Sequence, residues 1–146
     1  MDKRAIMNKL DAILDDAKAA VLATVDGEGQ PRVRWMTPAI LNADSGVIYA
    51  VTTPGSSKIS DLQAHPQVEW MIQSKPLDEV AHVRGIISII DNPALKMEVM
   101  SALGPQLKVF WNINIEEADL VVLETVVQDV TYCHPMRTDH VKVQFH

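Results

Sequence analysis

The chain has 146 residues, of which 47% are apolar and 22% charged, so we expect one globular domain spanning residues 1–146. The formal net charge is −6 and no long run of lysine or arginine occurs, which argues against nucleic acid as a partner. No segment approaches the roughly 20 apolar residues of a membrane span, and the N-terminal residues lack the apolar core of a signal peptide. Cys133 is the only cysteine, so no disulfide can form within the chain. We therefore expect a soluble cytoplasmic protein that does not bind membranes.

The first segment is predicted to be an amphipathic helix that begins after Asp2, a residue type that caps helix N-termini. Its apolar residues recur at the spacing of one helical face: Ile6, Leu10, Ile13, Leu14 and Ala17. The next segments have the sequence pattern of β-strands. An apolar run over 20–25 ends in a turn with two glycines, and a second strand is predicted over 30–40. A third strand over 47–52 follows another turn, so these three strands are expected to be joined by tight turns.

The rest of the chain alternates short helices with further strands. A short helix is predicted after a serine cap at Ser56 or Ser57, with Pro66 as its stop. Strands are predicted over 68–73 and 80–90, the second with a bend or bulge at Gly85. A helix capped by Asn92 and ended by Gly104 comes next. Residues 119–132 are predicted to form one or two strands and residues 141–145 one more. The fold class is therefore mainly β with flanking helices, with six to seven largely antiparallel strands closing as a small barrel.

Gly55, Ser56, Ser57 and Lys58 could form an anion cradle, because free backbone N–H groups, hydroxyls and an ammonium meet at a helix N-terminus. The alternative is a plain serine cap with a solvated lysine. The residues do not match the spacing of a Walker loop.

Arg32 and Arg34 share a face of the second strand, and an arginine fork suits a phosphate. Salt bridges to acidic neighbours or exposure to solvent are the alternatives. Thr52 and Thr53 can donate to a ligand or simply follow β propensity. The spacing of Cys133 and the nearby histidines matches no common zinc pattern, so no metal site is predicted. No catalytic acid or base can be named.

Five segments, in this order and spacing, resemble the pyridoxamine 5′-phosphate oxidase-like flavoproteins over roughly residues 10–133. They are the run Val21–Asp26 followed by Gly29–Arg34, the run Ile48–Thr53 followed by Ser56–Lys58, the step His65–Val68, the run Val83–Ile86, and the late stretch from Phe110 and Trp111 to Asp119–Leu123. The late stretch is most similar to the small branch of general stress protein 26. The resemblance implies an FMN-binding split β-barrel that forms a homodimer with the cofactor at the interface.

The resemblance also implies roles for particular residues. Arg34 and Lys58 would hold the FMN phosphate, with help from Ser57. The second strand, at Trp35, Met36 and Thr37, would run beside the flavin ring through its backbone, and Thr52 and Thr53 would flank the same cofactor. Trp111 of the partner subunit would be a neighbour of the ring.

The sequence also departs from the vitamin B6 enzymes of the family. Ser57 stands where they often carry a basic residue, Val80 where they carry a glutamine that contacts the flavin, and the C-terminal region has only Arg137. Pyridoxamine phosphate oxidation is therefore not expected. The leading hypothesis is an FMN-dependent oxidoreductase with a small-molecule redox substrate or reduced nicotinamide. The alternatives are a non-catalytic flavin-binding or stress-response module, a relative that binds F420 or haem, and a dimer with an empty site.

Overall fold

One antiparallel sheet and the helices around it make up the fold. The structure, a computed structural model, describes residues 1–55, 57–110 and 120–146, without the side chains of Ser57 and residues 105–110. Within these ranges the strands are β1 (Ala20–Val25), β2 (Pro31–Met36), β3 (Val47–Thr52), β4 (Gln67–Gln73), β5 (Val80–Ile90), β6 (Val121–Cys133) and β7 (His140–Gln144). The helices are α1 (Lys3–Ala17), α2 (Ser57–Ala64) and α3 (Pro93–Phe110). These elements confirm the mainly β fold class and its seven antiparallel strands.

The strand order closes the sheet into a barrel. Neighbouring strands follow the order β2-β1-β4-β5-β6-β3, and β7 pairs with the C-terminal part of β6. Ala39 and Tyr49 then form an isolated antiparallel bridge, in which the two backbone N–H groups donate to the partner carbonyls at 2.7 and 2.8 Å. This bridge joins β3 to the segment after β2. The result is a split barrel with one continuous side and one side held by a short contact.

The prediction that β2 and β3 form a hairpin is wrong. β2 ends at Met36 instead of running to residue 40, and β3 pairs along its whole length with β6. Pro38 explains the early end of β2, because proline has no N–H to donate to a ladder. The hairpin between β1 and β2 is confirmed. In its turn Gly29 has a φ of +79°, which glycine adopts without steric cost, and Asp26 accepts the backbone N–H groups of Glu28 and Gln30.

Gly85 marks the close approach of β5 and β6. The register of these strands shifts between Arg84 and Gly85. A Cβ atom at Gly85 would lie 2.5 Å from Thr125 Cγ2 and 2.7 Å from the Val126 carbonyl oxygen. The predicted irregularity in this strand is thereby confirmed, and its cause is that only glycine fits between the strands.

The main core fills the barrel and takes in one face of α1. Asp2 caps this helix by accepting the N–H of Ala5 at 2.7 Å, as predicted. Trp70 lies fully buried in the core, and its indole N–H donates to the buried hydroxyl of Thr125 at 3.0 Å. The remaining core residues come from the inward positions of the strands and from α1.

A smaller core lies between α3, β3 and β6. Helix α3 extends beyond Gly104, where the sequence predicted its end. Asn92 accepts two N–H groups of the first turn, as predicted. The helix continues to Phe110, since Gly104 does not take the positive φ of a terminating glycine. Val99 and Leu103 pack in this smaller core with Val122. No helix in the described ranges has both the length and the apolar character needed to cross a bilayer.

Candidate functional site

Two cations meet where β2 lies near the end of β3 and the start of α2. Arg34 is on the inward-facing parity of β2, and its guanidinium is half-buried. Lys58 is in the first turn of α2, directly after the segment that leaves β3. The fold places them together because Leu62, in the next turn of α2, is buried in the main core and fixes the helix against the barrel. Both residues were candidate phosphate ligands in the sequence, and the structure places them as neighbours.

Arg34 has one side of its fork satisfied and the other without a partner. Its Nη2 donates to the hydroxyl of Thr24 at 2.7 Å. Its Nη1 is buried and has no hydrogen-bond partner among the described residues. Burial lowers the pKa of this guanidinium, Asp61 acts in the opposite direction, and Arg32 lowers it further. A buried donor without a partner is costly, so it is a place where a ligand acceptor would be bound strongly.

Lys58 is also held by neutral atoms. Its Nζ donates to the Thr52 hydroxyl at 2.7 Å and lies 3.6 Å from the Met36 sulfur. Burial, and then the positive charge of Arg34, lower the pKa of the Lys58 ammonium to about 8. Among the described residues, neither Arg34 nor Lys58 has a carboxylate within salt-bridge distance. Two such cations side by side are an arrangement that an anion stabilises.

The other predicted residues occupy different positions around this pair. Trp35 points to the outer side of β2 and is 64% exposed, whereas Thr37 is buried just after the strand. Thr53 is half-buried beyond the end of β3. The backbone of Ser57 begins α2, but its side chain is not described, and Ser56 and Trp111 lie outside the described residues. The interpretation of these positions as cofactor contacts stays a prediction.

Thr24 is the residue that sequence reasoning missed. It alternates with Ala20 and Leu22 on the inward face of β1 and is 2% exposed. A hydroxyl at an inward position of an otherwise apolar strand was the available signal. The pairing of β1 with β2 sets Leu22 opposite Arg34, and the guanidinium reaches from there to Thr24, two residues further along β1.

Arg32, the other arginine of β2, has a different environment. Its Nε lies 3.1 Å from Asp26 Oδ2, and its side chain is 64% exposed. Backbone hydrogen bonds from Gln30 and Glu28, and then Arg32 itself, lower the pKa of the Asp26 carboxyl. The salt-bridge alternative is therefore correct for Arg32, and of the two arginines Arg34 is the one with a buried donor that has no partner among the described residues.

A cleft of about 620 Å³ is lined mainly by residues of β1, β2, β4, β5, β6 and β7, and Thr24 is one of them. Arg84 is in this cleft, and its Nε and Nη2 both donate to the buried carboxylate of Asp129, at 3.1 and 2.7 Å. Neither Arg34 nor Lys58 lines it. The positive charge in this cleft is already paired, so we favour the Arg34 and Lys58 pair as the functional site in spite of the size of the cleft.

The fold and the site together define a small split-barrel protein in which two half-buried cations are neighbours. The sequence profile of the pyridoxamine 5′-phosphate oxidase family matches residues 6–134, and the chain belongs to this family. A pyridoxine/pyridoxamine 5′-phosphate oxidase of Aeromonas hydrophila subsp. hydrophila is 35% identical over 75 residues. That match covers 51% of this chain and 35% of the relative, so the chain spans about a third of that enzyme's length.

Solved structures with low sequence identity share the fold. General stress protein 26 from Bacillus anthracis str. Sterne superposes with a TM-score of 0.75 at 22% identity, covering 96% of this chain and 98% of that protein. A protein from Mesorhizobium loti described as FAD-binding superposes with a TM-score of 0.69 at 19% identity, covering 86% of this chain and 91% of that protein. These likenesses confirm the split-barrel architecture expected from the sequence.

Proposed function

We propose that this protein binds FMN, with the phosphate held by Arg34 and Lys58, and acts as a flavin-dependent oxidoreductase on a small molecule. The observation that carries the proposal is the buried Nη1 of Arg34, which has no partner among the described residues and lies beside a second half-buried cation. A phosphate dianion offers several acceptor oxygens to such donors and compensates both charges. The residues present thus fit the phosphate end of FMN.

The rest of the cofactor would extend from this phosphate along β2. In this proposal the backbone of Trp35, Met36 and Thr37 runs beside the flavin ring, and Thr53 lies near its polar edge. When bound, FMN supplies hydride and electron transfer, while the protein binds and orients it. The electron donor in this proposal is a reduced nicotinamide or a small redox substrate.

The family match and one structural neighbour support a flavin, while another neighbour is named an F420 reductase. The matching family is that of pyridoxamine 5′-phosphate oxidase, and one neighbour of the same fold is described as FAD-binding. Val80 and the single C-terminal Arg137 still distinguish this chain from the pattern of the vitamin B6 enzymes. We therefore propose a flavin oxidoreductase whose substrate is not pyridoxamine phosphate.

We also propose that two copies pair with FMN between them. β2 is an edge strand apart from the bridge at Ala39, and it exposes Val33 (72%) and Trp35 (64%) on its outer face. Large apolar side chains on an edge strand beside a ligand site are typical of a surface that a partner covers. In this proposal Trp111 of the partner subunit lies near the ring. Light scattering should then give about twice the 16.2 kDa of one chain; a monomer that still binds FMN tightly would contradict the dimer.

The binding proposal is tested by replacing Lys58 and comparing two flavins that differ only in phosphate. In Lys58→Ala we expect the affinity for FMN to fall roughly ten- to a hundred-fold and the affinity for riboflavin to stay nearly unchanged, because a charge-assisted hydrogen bond is lost. Lys142→Ala is the matched control, since Lys142 is an exposed lysine on β7. Equal losses for both flavins would contradict the phosphate site.

The identity of the ligand is tested separately by mass spectrometry of the small molecule that copurifies with the protein. We expect FMN, and F420 or haem would contradict the choice of cofactor. Turnover with a reduced nicotinamide would support an oxidoreductase. A protein that binds FMN and shows no turnover with any donor would favour the non-catalytic flavin-binding module.

A further inference from the structure

Two buried threonines each contact one of the two cations. Thr24 on β1 and Thr52 on β3 are each 2% exposed. Their strands pair with different neighbours, β1 with β2 and β4, and β3 with β6. A buried hydroxyl is unfavourable unless it is hydrogen-bonded. Both hydroxyls find their partner in the same place, because each accepts a hydrogen bond of 2.7 Å from one of the two cations.

We propose that Thr24 and Thr52 are positioning residues of the anion site, Thr24 for Arg34 and Thr52 for Lys58. This inference rests on the proposed function and deepens it. The bond from Nη2 to Thr24 fixes one side of the guanidinium plane and leaves Nη1 as the donor for the ligand. The bond from Lys58 to Thr52 fixes the ammonium at the end of β3.

The choice of threonine has a physical reason. A hydroxyl accepts a hydrogen bond from a cation without cancelling its charge, whereas a carboxylate would form an ion pair and compete with a phosphate. Arg84 shows the alternative within this chain, because its Nε and Nη2 both donate to the buried carboxylate of Asp129. Neutral acceptors therefore hold Arg34 and Lys58 in place while their positive charges remain available to a ligand.

The test compares valine and serine at each threonine. Thr24→Val and Thr52→Val keep the shape of the side chain and remove the acceptor, and we expect each to weaken FMN binding roughly three- to ten-fold with riboflavin little changed. Thr24→Ser and Thr52→Ser restore the hydroxyl and should restore the affinity for FMN. The change in preference between FMN and riboflavin is the readout, since a merely structural role would affect both flavins equally.

Thr125→Val is the matched control for these variants. Thr125 is fully buried and its hydroxyl accepts the indole N–H of Trp70 at 3.0 Å, so it is a core threonine that serves no cation. We expect Thr125→Val to lower thermal stability and to leave the preference for FMN over riboflavin unchanged. Thermal stabilisation by inorganic phosphate provides a second readout without the flavin, and it should be reduced in Thr24→Val and Thr52→Val and retained in Thr125→Val.

The outcomes separate this inference from the proposed function. If Lys58→Ala loses the preference for FMN but both valine variants keep it, the threonines are not positioning residues and the phosphate site stands. If valine and serine variants lose the preference equally, the hydroxyl is not the cause and the inference is overturned. If the unmodified protein neither prefers FMN to riboflavin nor is stabilised by phosphate, the proposed function itself fails and this inference fails with it.

Discussion

Arg32 and Arg34 lie two residues apart on the same strand and share its parity, yet they are held in opposite ways. Arg32 is exposed and bonds to the carboxylate of Asp26, which also organises the hairpin turn. Arg34 is half-buried and bonds to the neutral hydroxyl of Thr24, with Lys58 as its charged neighbour. Arg32 therefore stabilises the hairpin, whereas the positive charge of Arg34 is available to a ligand. Whether an arginine can serve a ligand therefore depends on the side chain that it contacts, and the residue type alone does not decide it.

The same contrast extends to a third arginine, Arg84. The Arg84 and Asp129 pair joins β5 to β6 opposite the bulge at Gly85. It resembles the Arg32 pair, because the carboxylate satisfies the arginine. Lys58, in contrast, belongs with Arg34. We expect the paired cations to contribute to folding and the unpaired ones to contribute to binding at a cost to folding.

The largest expected effect is the loss of affinity for FMN when Arg34 is removed, with removal of Arg32 as the comparison. In Arg34→Ala we expect a loss of roughly ten- to a hundred-fold, because a charge-assisted bond to phosphate disappears. In Arg32→Ala the change should stay within about two-fold, since an exposed ion pair contributes little. Fluorescence titration of both variants with FMN measures the difference. A larger loss in Arg32→Ala would invert the comparison and assign the site to the wrong arginine.

An intermediate effect concerns the pH dependence of FMN binding. The pKa of Lys58 is lowered to about 8 in the free protein, and phosphate binds the protonated lysine. Relative to pH 7, the affinity should therefore fall by about two-fold at pH 8 and by about ten-fold at pH 9. Below about pH 6 it should fall again as the phosphate gains a proton.

Two controls assign this pH dependence. In Lys58→Arg the fall above pH 8 should disappear, because arginine remains protonated throughout this range. Riboflavin, which lacks the phosphate, should bind the unmodified protein without the same fall. If Lys58→Arg keeps the full dependence, another group is responsible for it.

The smallest expected effect is on the stability of the protein without ligand. Lys58→Met should raise the free energy of unfolding at pH 7 by about 1 kcal/mol, because it removes a half-buried charge that no carboxylate compensates. Arg84→Met should lower the melting temperature, because it leaves the buried carboxylate of Asp129 without its partner. Thermal and urea unfolding of both variants check the two signs. Stabilisation in both cases, or loss in both, would remove the distinction between scaffold and binding cations.

Much of the fold followed from local patterns in the sequence. The capping residues Asp2 and Asn92 and the glycine turn after β1 have short-range causes, and each was predicted correctly. The bulge at Gly85 was also predicted, although the close approach of β6 that requires glycine there is a contact between distant segments. The errors arose where the fold depends on more than the local sequence pattern. β3 pairs with β6, from which it is separated by about half of the chain, and α3 runs past Gly104 because that glycine keeps a helical backbone.

The site was only partly visible in the sequence for the same reason. Arg34 and Lys58 were recognised by residue type and family resemblance, but strand parity could not separate Arg34 from Arg32. Their difference lies in what each side chain touches, an Asp26 carboxylate or a Thr24 hydroxyl, and that is a property of the folded barrel. Thr24 lies in the first segment that carries the family resemblance, and its inward position in an apolar strand was a signal, but only its contact with Arg34 identifies its role.

The central claim, that Arg34 and Lys58 carry positive charge for a phosphate, is tested most directly by a crystal structure of the protein grown with FMN. We predict a phosphate oxygen within about 3 Å of the Nη1 atom of Arg34 and another within about 3 Å of the Nζ atom of Lys58. Thr24 and Thr52 should keep their hydrogen bonds to the two cations. A phosphate bound elsewhere, for example beside Arg84, with Nη1 of Arg34 still lacking an acceptor, would contradict the account.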